Sequence, residues 1–417
     1  MFAVALGNSI EFYDFVTYAF FAAQIGRAFF PSDTPGSSLL ASLATFGAGF
    51  VTRPLGAFVL GRLGDRIGRK HAMLISFALI GVGVAGLPLI PPYSVIGIAA
   101  PLLAIGFRLL QGFALGGEIG PSTAFMMEAA PPLRRGLYIS FQGMGADVAV
   151  MIAGLVGMVL SSLLSPSALD AWGWRVALLG GTVIVPVGLL LRRSLGETLH
   201  ASPATQSPVR FSNYRRVALA GLTLMATATT TSYLLSYMKT YATSTLGMAE
   251  RIAFGATTLV GLAGVICDPL GAWLSDRFGR KPVMIIPWLI LAGCVFPCFA
   301  LLERDRSASA LYLACGVLGC ASTLSTSTSL VAVTESLPHR VRSGSLSILY
   351  ALAISIFGGS AQFIVAWLTR FTGNPMTPAW YMIGGVAVGL LALWAMPESA
   401  PIKVGIRPQD YGATDSL

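Results

Sequence analysis

Apolar stretches about 20 residues long recur from one end of this chain to the other, parted by short turns that hold most of its charge. Each is long enough to cross a hydrocarbon core as a helix. Backbone groups in lipid must be satisfied within their own segment, so these stretches fold as helices; the two-residue alternation of a membrane barrel is absent. Only 11% of the residues are charged and 55% are hydrophobic, against about 25% charged in a soluble domain. The net charge of +9 would point to nucleic acid in a soluble protein. Here the basic residues sit in loops between apolar runs, where membrane topology accounts for them and no nucleic-acid partner is expected.

The pattern predicts twelve spans, at 2–24, 38–60, 72–90, 95–126, 136–163, 173–192, 215–240, 252–275, 282–302, 308–335, 344–369 and 378–397. Loops after even-numbered spans, with the tail, hold 18 of the 27 lysines and arginines, and the opposite side holds six. That excess places the even loops and both termini in the cytoplasm. The remaining three, Arg53, Arg108 and Lys239, fall inside spans. The five cysteines all lie in apolar segments of the second half without metal-ligand spacing, and read as small buried hydrophobes. No basic region precedes the first run, so no cleavable signal peptide is expected.

The turn Asp65-Arg66-Ile67-Gly68-Arg69-Lys70 returns as Asp276-Arg277-Phe278-Gly279-Arg280-Lys281, 211 residues on (276 − 65). A second pair, Glu128 to Gly136 and Glu335 to Gly344, repeats at an offset of 207 (335 − 128). Two motifs in the same order at nearly one offset indicate a duplication. The expected fold is an all-α membrane protein whose twelve transmembrane helices form two pseudo-symmetric six-helix bundles, with a midplane site between them. The predicted layout is a first bundle at 1–192, a cytoplasmic linker at 193–214, a second bundle at 215–397 and a cytoplasmic tail at 398–417. The repeated motifs are candidates for a cytoplasmic gate: Gly61, Asp65, Arg66, Gly68, Arg69 and Glu128 in one half, Asp276, Arg277, Gly279, Arg280 and Glu335 in the other. The aspartates can pair with arginines or with helix N-termini of neighbouring spans, and the glutamates with the loop arginines. A purely topogenic basic loop explains the arginines but not the aspartate and glycine kept in register.

The loop Gly61 to Lys70 is similar to the signature of the major facilitator superfamily. More narrowly the chain resembles its metabolite:proton symporter family, through Gly7-Asn8-Ser9-Ile10-Glu11-Phe12-Tyr13-Asp14-Phe15, Phe50-Val51-Thr52-Arg53-Pro54-Leu55-Gly56 and the segment from Arg108 to Glu118. Trp172 to Arg175, Arg192 to Thr198, the threonines opening span seven and Ile356 to Gly359 resemble citrate and tricarballylate carriers. Asp147, Asp268 and Lys239 stand outside the family pattern. The resemblance implies alternating access, a bacterial inner-membrane location, a functional monomer and a small organic anion as substrate.

Span one carries Asn8, Glu11, Asp14 and Tyr18 at helical spacing on roughly one face. A charged carboxylate in lipid costs on the order of 3 kcal/mol, so such a face must line a cavity or meet cations. Burial favours the protonated carboxyl unless a cation lies beside it, which makes Glu11 and Asp14 candidates for proton coupling, with Glu118 of span four as a third. Span four also carries Arg108 and Gln111 on a shared face, and Arg53 precedes Pro54 inside span two. Arginine keeps its charge and matches a carboxylate with a planar fork. Two such residues at mid-depth point to an anionic substrate, the alternative being permanent neutralisation by the acids. Gln142 in span five offers a further donor or a simple interhelical bond. In span seven Tyr233 and Tyr237 recur every four residues, and Lys239 either snorkels to the extracellular interface or faces the cavity as a third cation.

Together these features point to a proton-coupled symporter of a di- or tricarboxylate such as citrate or tricarballylate. Sodium remains the alternative coupling ion, and no bound cofactor or metal is expected. An antiporter or exporter of an organic acid or drug-like compound on the same fold is the second reading, disfavoured because Gly143 to Gly157 contains no proline. No nucleophile–base set or phosphate loop supports an enzyme, since the glycines of the repeated turn follow no strand.

Overall fold

The computed structural model describes residues 2–34, 36–67, 69–116, 123, 126–127, 130–182, 214–338 and 342–405, the side chains of 2–8, 10–11, 61, 64–66, 69–70, 72–73 and 343 excepted. The described chain is helical throughout. The first span is α1 (Phe2–Phe20) and α2 (Ala22–Phe29), and the second is α3 (Ser37–Val51) and α4 (Arg53–Ile67). Then come α5 (Arg69–Leu89), α6 (Ala99–Leu115), α7 (Arg135–Leu163) and α8 (Trp174–Thr182). The second half holds α9 (Arg215–Thr240), α10 (Glu250–Phe278), α11 (Arg280–Arg304) and α12 (Ala308–Ser336). It ends with α13 (Arg342–Ala353), α14 (Gly359–Thr372) and α15 (Thr377–Ala395). Among the described residues eight helical segments are long and apolar enough to cross a membrane, and two shorter apolar ones accompany them.

Three spans expected to be continuous are interrupted, the first at Phe21, the second at Thr52 and the eleventh at Ile354–Gly358. The second breaks at Thr52 because Pro54 has no N–H for the Phe50 carbonyl four residues back; Ser355 Oγ donates to that carbonyl instead, at 2.6 Å. Ser355 belongs to a π-turn, Ile354–Gly358, that joins α13 to α14 within the eleventh span. One local irregularity therefore supplies the hydrogen bond that another has lost, across the two halves.

Each half buries its own apolar cluster. The first centres on Tyr18, Phe20, Phe29, Phe46, Phe50 and Trp174. The second centres on Leu224, Tyr237, Trp288, Leu311, Phe299 and Met382. The outer surface is apolar as well: Trp394 is 87% exposed and Phe371 75%. Such a surface is stable against hydrocarbon rather than water. The halves meet chiefly where α7 lies antiparallel along α10, and where α3 lies against α14. Small residues allow the first approach: a side chain on Gly154 would strike Thr257 and Thr258 of α10, and one on Gly261 would strike the backbone of Met151 on α7.

Candidate substrate and coupling site

Arg108, on α6, is fully buried. Its Nη1 donates to Asp14 Oδ2 of α1 at 3.0 Å and to Gln111 Oε1 at 2.7 Å. Its guanidinium carbon lies 3.9 Å from the centre of the Tyr18 ring and 5.1 Å from that of Phe15. Nε and Nη2 of Arg108 are buried without a protein partner among the described residues. Of the acids proposed for coupling, Asp14 meets the arginine; the side chains of Asn8 and Glu11 lie outside the described residues, as does Glu118.

Arg53, at the first position of α4 after the Pro54-induced break, packs 4.5 Å over Phe50 and 5.0 Å over Phe15. Phe15 thus lies between two guanidiniums, whose central carbons are no more than about 10.1 Å apart, the sum of its distances to each. Tyr233 of α9 reaches across from the second half and meets Phe50 edge-on, ring centres 5.6 Å apart. The Arg53 charge acts on the hydroxyls of Tyr233 and of Tyr350 on α13. The tyrosine stripe divides here: Tyr233 packs on the first-half cluster, whereas Tyr237 is buried in the second. Gln142 of α7 accepts from Thr123 Oγ1 at 2.7 Å, an interhelical bond within the first half.

Lys239 neither snorkels to an interface nor stands as a separate third cation. It is 1% exposed, and its Nζ lies 2.8 Å from Glu250 Oε2 at the start of α10. Gln24 Nε2 of α2 donates to Glu250 Oε1 at 3.0 Å, so the pair also ties the first half to the second. Beside it Arg27 pairs with Asp170. The physical reason is burial among Phe21 and Phe254, where a lysine requires a nearby carboxylate.

At the opposite end of the bundle stands the second copy of the repeated turn. Asp276 Oδ1 and Oδ2 accept from the backbone N–H groups of Gly136 and Leu137 in the first turn of α7, at 2.9 and 3.0 Å. Arg280 donates to Asp276 at 2.7 Å and forms a two-pronged pair with Glu335 on α12, at 3.0 and 2.9 Å. Gly279 links α10 to α11 at φ +107°, a backbone conformation that L side chains rarely adopt. Glu398, just after α15, accepts from the N–H groups of Arg280 and Lys281 at the start of α11. Burial would raise the Glu398 pKa, but four backbone N–H donors outweigh it and hold the carboxyl below its ordinary 4.5. Arg277 is separate from this cluster; it is exposed and lies over Trp273 and Phe278 of its own helix. The first copy, with Gly61, Asp65, Arg66, Gly68 and Arg69, and its partner Glu128 lie outside the described residues or side chains.

A sequence model of the family described as sugar (and other) transporter matches residues 1–198 and again 192–404. The chain belongs to this family of the major facilitator superfamily. It is 35% identical over 397 residues to a citrate-proton symporter of Klebsiella pneumoniae, covering 93% of this chain and 89% of that one. It is 34% identical over 384 residues to an alpha-ketoglutarate permease of Escherichia coli, covering 90% and 88%. A shikimate transporter of the same species is 30% identical, covering 94% and 93%. Among solved structures, that of a D-xylose-proton symporter superposes with a TM-score of 0.79 at 22% identity, covering 95% of this chain and 97% of that one. The protein is thus a multi-pass membrane transporter of the major facilitator fold, and not an enzyme.

Several residues of this facilitator's site carried no sequence signal. Tyr350 and Phe15 look like ordinary apolar positions until the fold sets them beside Arg53. Glu250 and Gln24 sit at helix ends, where polar residues are common. Hydroxyls of α12 bond back to their own helix, Ser325 to the Ala321 carbonyl and Ser329 to that of Ser325.

Proposed function

We propose that this transporter is a proton-coupled symporter that takes up a small organic anion, a di- or tricarboxylate with citrate foremost. The observation carrying the reading is the buried Arg108, engaged on one nitrogen by Asp14 and with two further nitrogens that have no partner among the described residues. An always-charged fork in that state is suited to a carboxylate. The substrates for which such relatives are named, citrate, alpha-ketoglutarate, proline with betaine, and shikimate, share a carboxylate and little else. Arg53, close by across Phe15, supplies a second positive charge for a second carboxylate. Protonation of Asp14 neutralises its hold on Arg108 and frees the guanidinium for substrate; substrate release returns Arg108 to ionised Asp14. In this reading Gln111, Gln142, Tyr233 and Tyr237 are substrate-side residues, as are Asn8 and Lys239, the latter as part of its pair with Glu250. Glu11 and Glu118 are further carriers of the coupling proton.

The halves, 1–192 and 215–397, rock about this site. The Asp276–Arg280–Glu335 cluster latches the cytoplasmic end by holding the N-terminus of α7. Proton coupling is supported by the similarity to a citrate-proton symporter. The test is uptake of radiolabelled citrate into proteoliposomes. Uptake should rise with an inward proton gradient and collapse in Arg108→Ala at unchanged thermal stability. Unchanged uptake in that variant would remove Arg108 from the site, and uptake indifferent to the gradient would remove proton coupling.

A further inference from the structure

Asp147 of α7 and Asp268 of α10 play no part in the site above. They face each other across the seam between the halves, twelve residues into α7 (147 − 135) and ten before the end of α10 (278 − 268). At about 1.5 Å per residue these positions lie roughly 18 and 15 Å from the latched end, near mid-depth. Each seat is made by a glycine on the opposite helix, four residues before the other aspartate. A side chain on Gly143 would meet Asp268 Oδ2, and one on Gly264 would meet the Asp147 carboxyl. Asp268 is 4% exposed, and each carboxyl group sits against the helix that carries the other.

Two ionised carboxylates offer only acceptors, so groups facing each other in this way can bond only when one of them carries a hydrogen. Among the described residues the surroundings supply no substitute cation. Cys267 of α10 and Cys320 of α12 are the neighbouring titratable side chains. From α1, Asp14 is turned to Arg108. From α9, Lys239 is engaged by Glu250, and from α11, Arg280 by Asp276 and Glu335. Among the described residues no arginine, lysine or histidine acts on either aspartate.

We propose that Asp147 and Asp268 share one proton across the two halves, a second proton-binding site that closes the α7–α10 seam when occupied and opens it when empty. With the proton the pair carries a single negative charge and is held by its own hydrogen bond. Loss of that proton to water leaves two facing carboxylates in a buried seam, and their repulsion drives the helices apart. Pro269, directly after Asp268, omits one rung of the α10 hydrogen-bond ladder and makes the bend there easier. The coupling role deepens the symport reading and rests on it; the shared proton does not.

Infrared spectra of the purified protein in nanodiscs at neutral pH test the proton directly. The wild type should show the C=O stretch of a protonated carboxylic acid, shifted in D₂O, that is missing from both D147N and D268N. In each variant the asparagine amide donates to the remaining carboxylate and no proton is required. Asp14 is common to all three proteins and cancels in the difference. Citrate counterflow in both variants should depend less steeply on pH than in the wild type, with the part of the dependence that Asp14 confers retained. A band absent from the wild type, or retained in both variants, overturns the proposal, as does counterflow in both variants that keeps the wild-type pH dependence. Wild-type uptake indifferent to a proton gradient, with the band present, would instead overturn symport and leave the shared proton standing.

Discussion

Replacing Asp276 by alanine isolates what holds α7 against α10 at the latched end. Gly136 and Leu137 lie in the first turn of α7, where N–H groups have no acceptor within their own helix. Asp276 accepts from both. A hydrogen bond to a charged group contributes about 1.5–3 kcal/mol. Asp276 is 9% exposed and is shared with Arg280, so the lower end applies, about 3 kcal/mol for the two bonds together. At 1.4 kcal/mol per tenfold, that is roughly a hundredfold in the protection of these amides. Arg280 keeps its fork on Glu335 in the variant, so the loss should stay local. Hydrogen–deuterium exchange read by mass spectrometry on a peptide covering the start of α7 measures it. Gly136 and Leu137 should exchange about a hundredfold faster in Asp276→Ala, with the middle of α7 unchanged. Equal exchange in both proteins would show that Asp276 does not hold the turn. Faster exchange along all of α7 would show a fold defect instead of a lost latch.

Glu250→Gln should lower thermal stability by about 2 kcal/mol, the cost of leaving buried Lys239 without its counter-charge, discounted because Glu250 is part exposed. Combining it with Lys239→Met should recover most of the loss, and strictly additive effects in the double variant would refute the pairing. Glu398 has a depressed folded pKa, so its stabilisation is present above its ordinary 4.5 and is lost as pH falls through the folded value. The melting-temperature gap between wild type and Glu398→Gln should therefore be constant near neutrality and shrink in acid; a gap independent of pH down to unfolding would contradict this. Gly154→Val should cost about 1–3 kcal/mol by forcing α7 from α10. Gly293→Ala, which meets nothing within 4 Å, should be neutral, and equal shifts in melting temperature would show that the seam is not closely packed.

Much of the fold was legible because lipid leaves a chain few choices. A run of apolar residues must be a helix there, and its length follows from the bilayer. The duplicated turn was legible because Gly279 needs its unusual backbone and Asp276 needs a helix end to hold. Pro54 marked an irregularity without revealing its consequence. Only the fold shows that the freed Phe50 carbonyl is taken by Ser355 from the other half. Asp14 and Glu11 were equivalent as candidates, being one turn apart on a single helix; only the fold shows that Asp14 meets Arg108 from α6.

Lys239 and the aspartate pair mark the same boundary. Sequence shows that a charge lies inside a span, which commits the protein to solvating it, since an unpaired charge at that depth is costly. It does not show the partner. Glu250 is eleven residues from Lys239, and Asp268 is 121 from Asp147 (268 − 147); nothing local connects them. The apolar pattern and the repeat determined by themselves the helices and the two-fold layout, because these depend on transfer from water and on local backbone geometry. Which charges neutralise one another was decided only by tertiary structure, because pairing depends on side-chain distances of a few ångströms that helix packing alone sets.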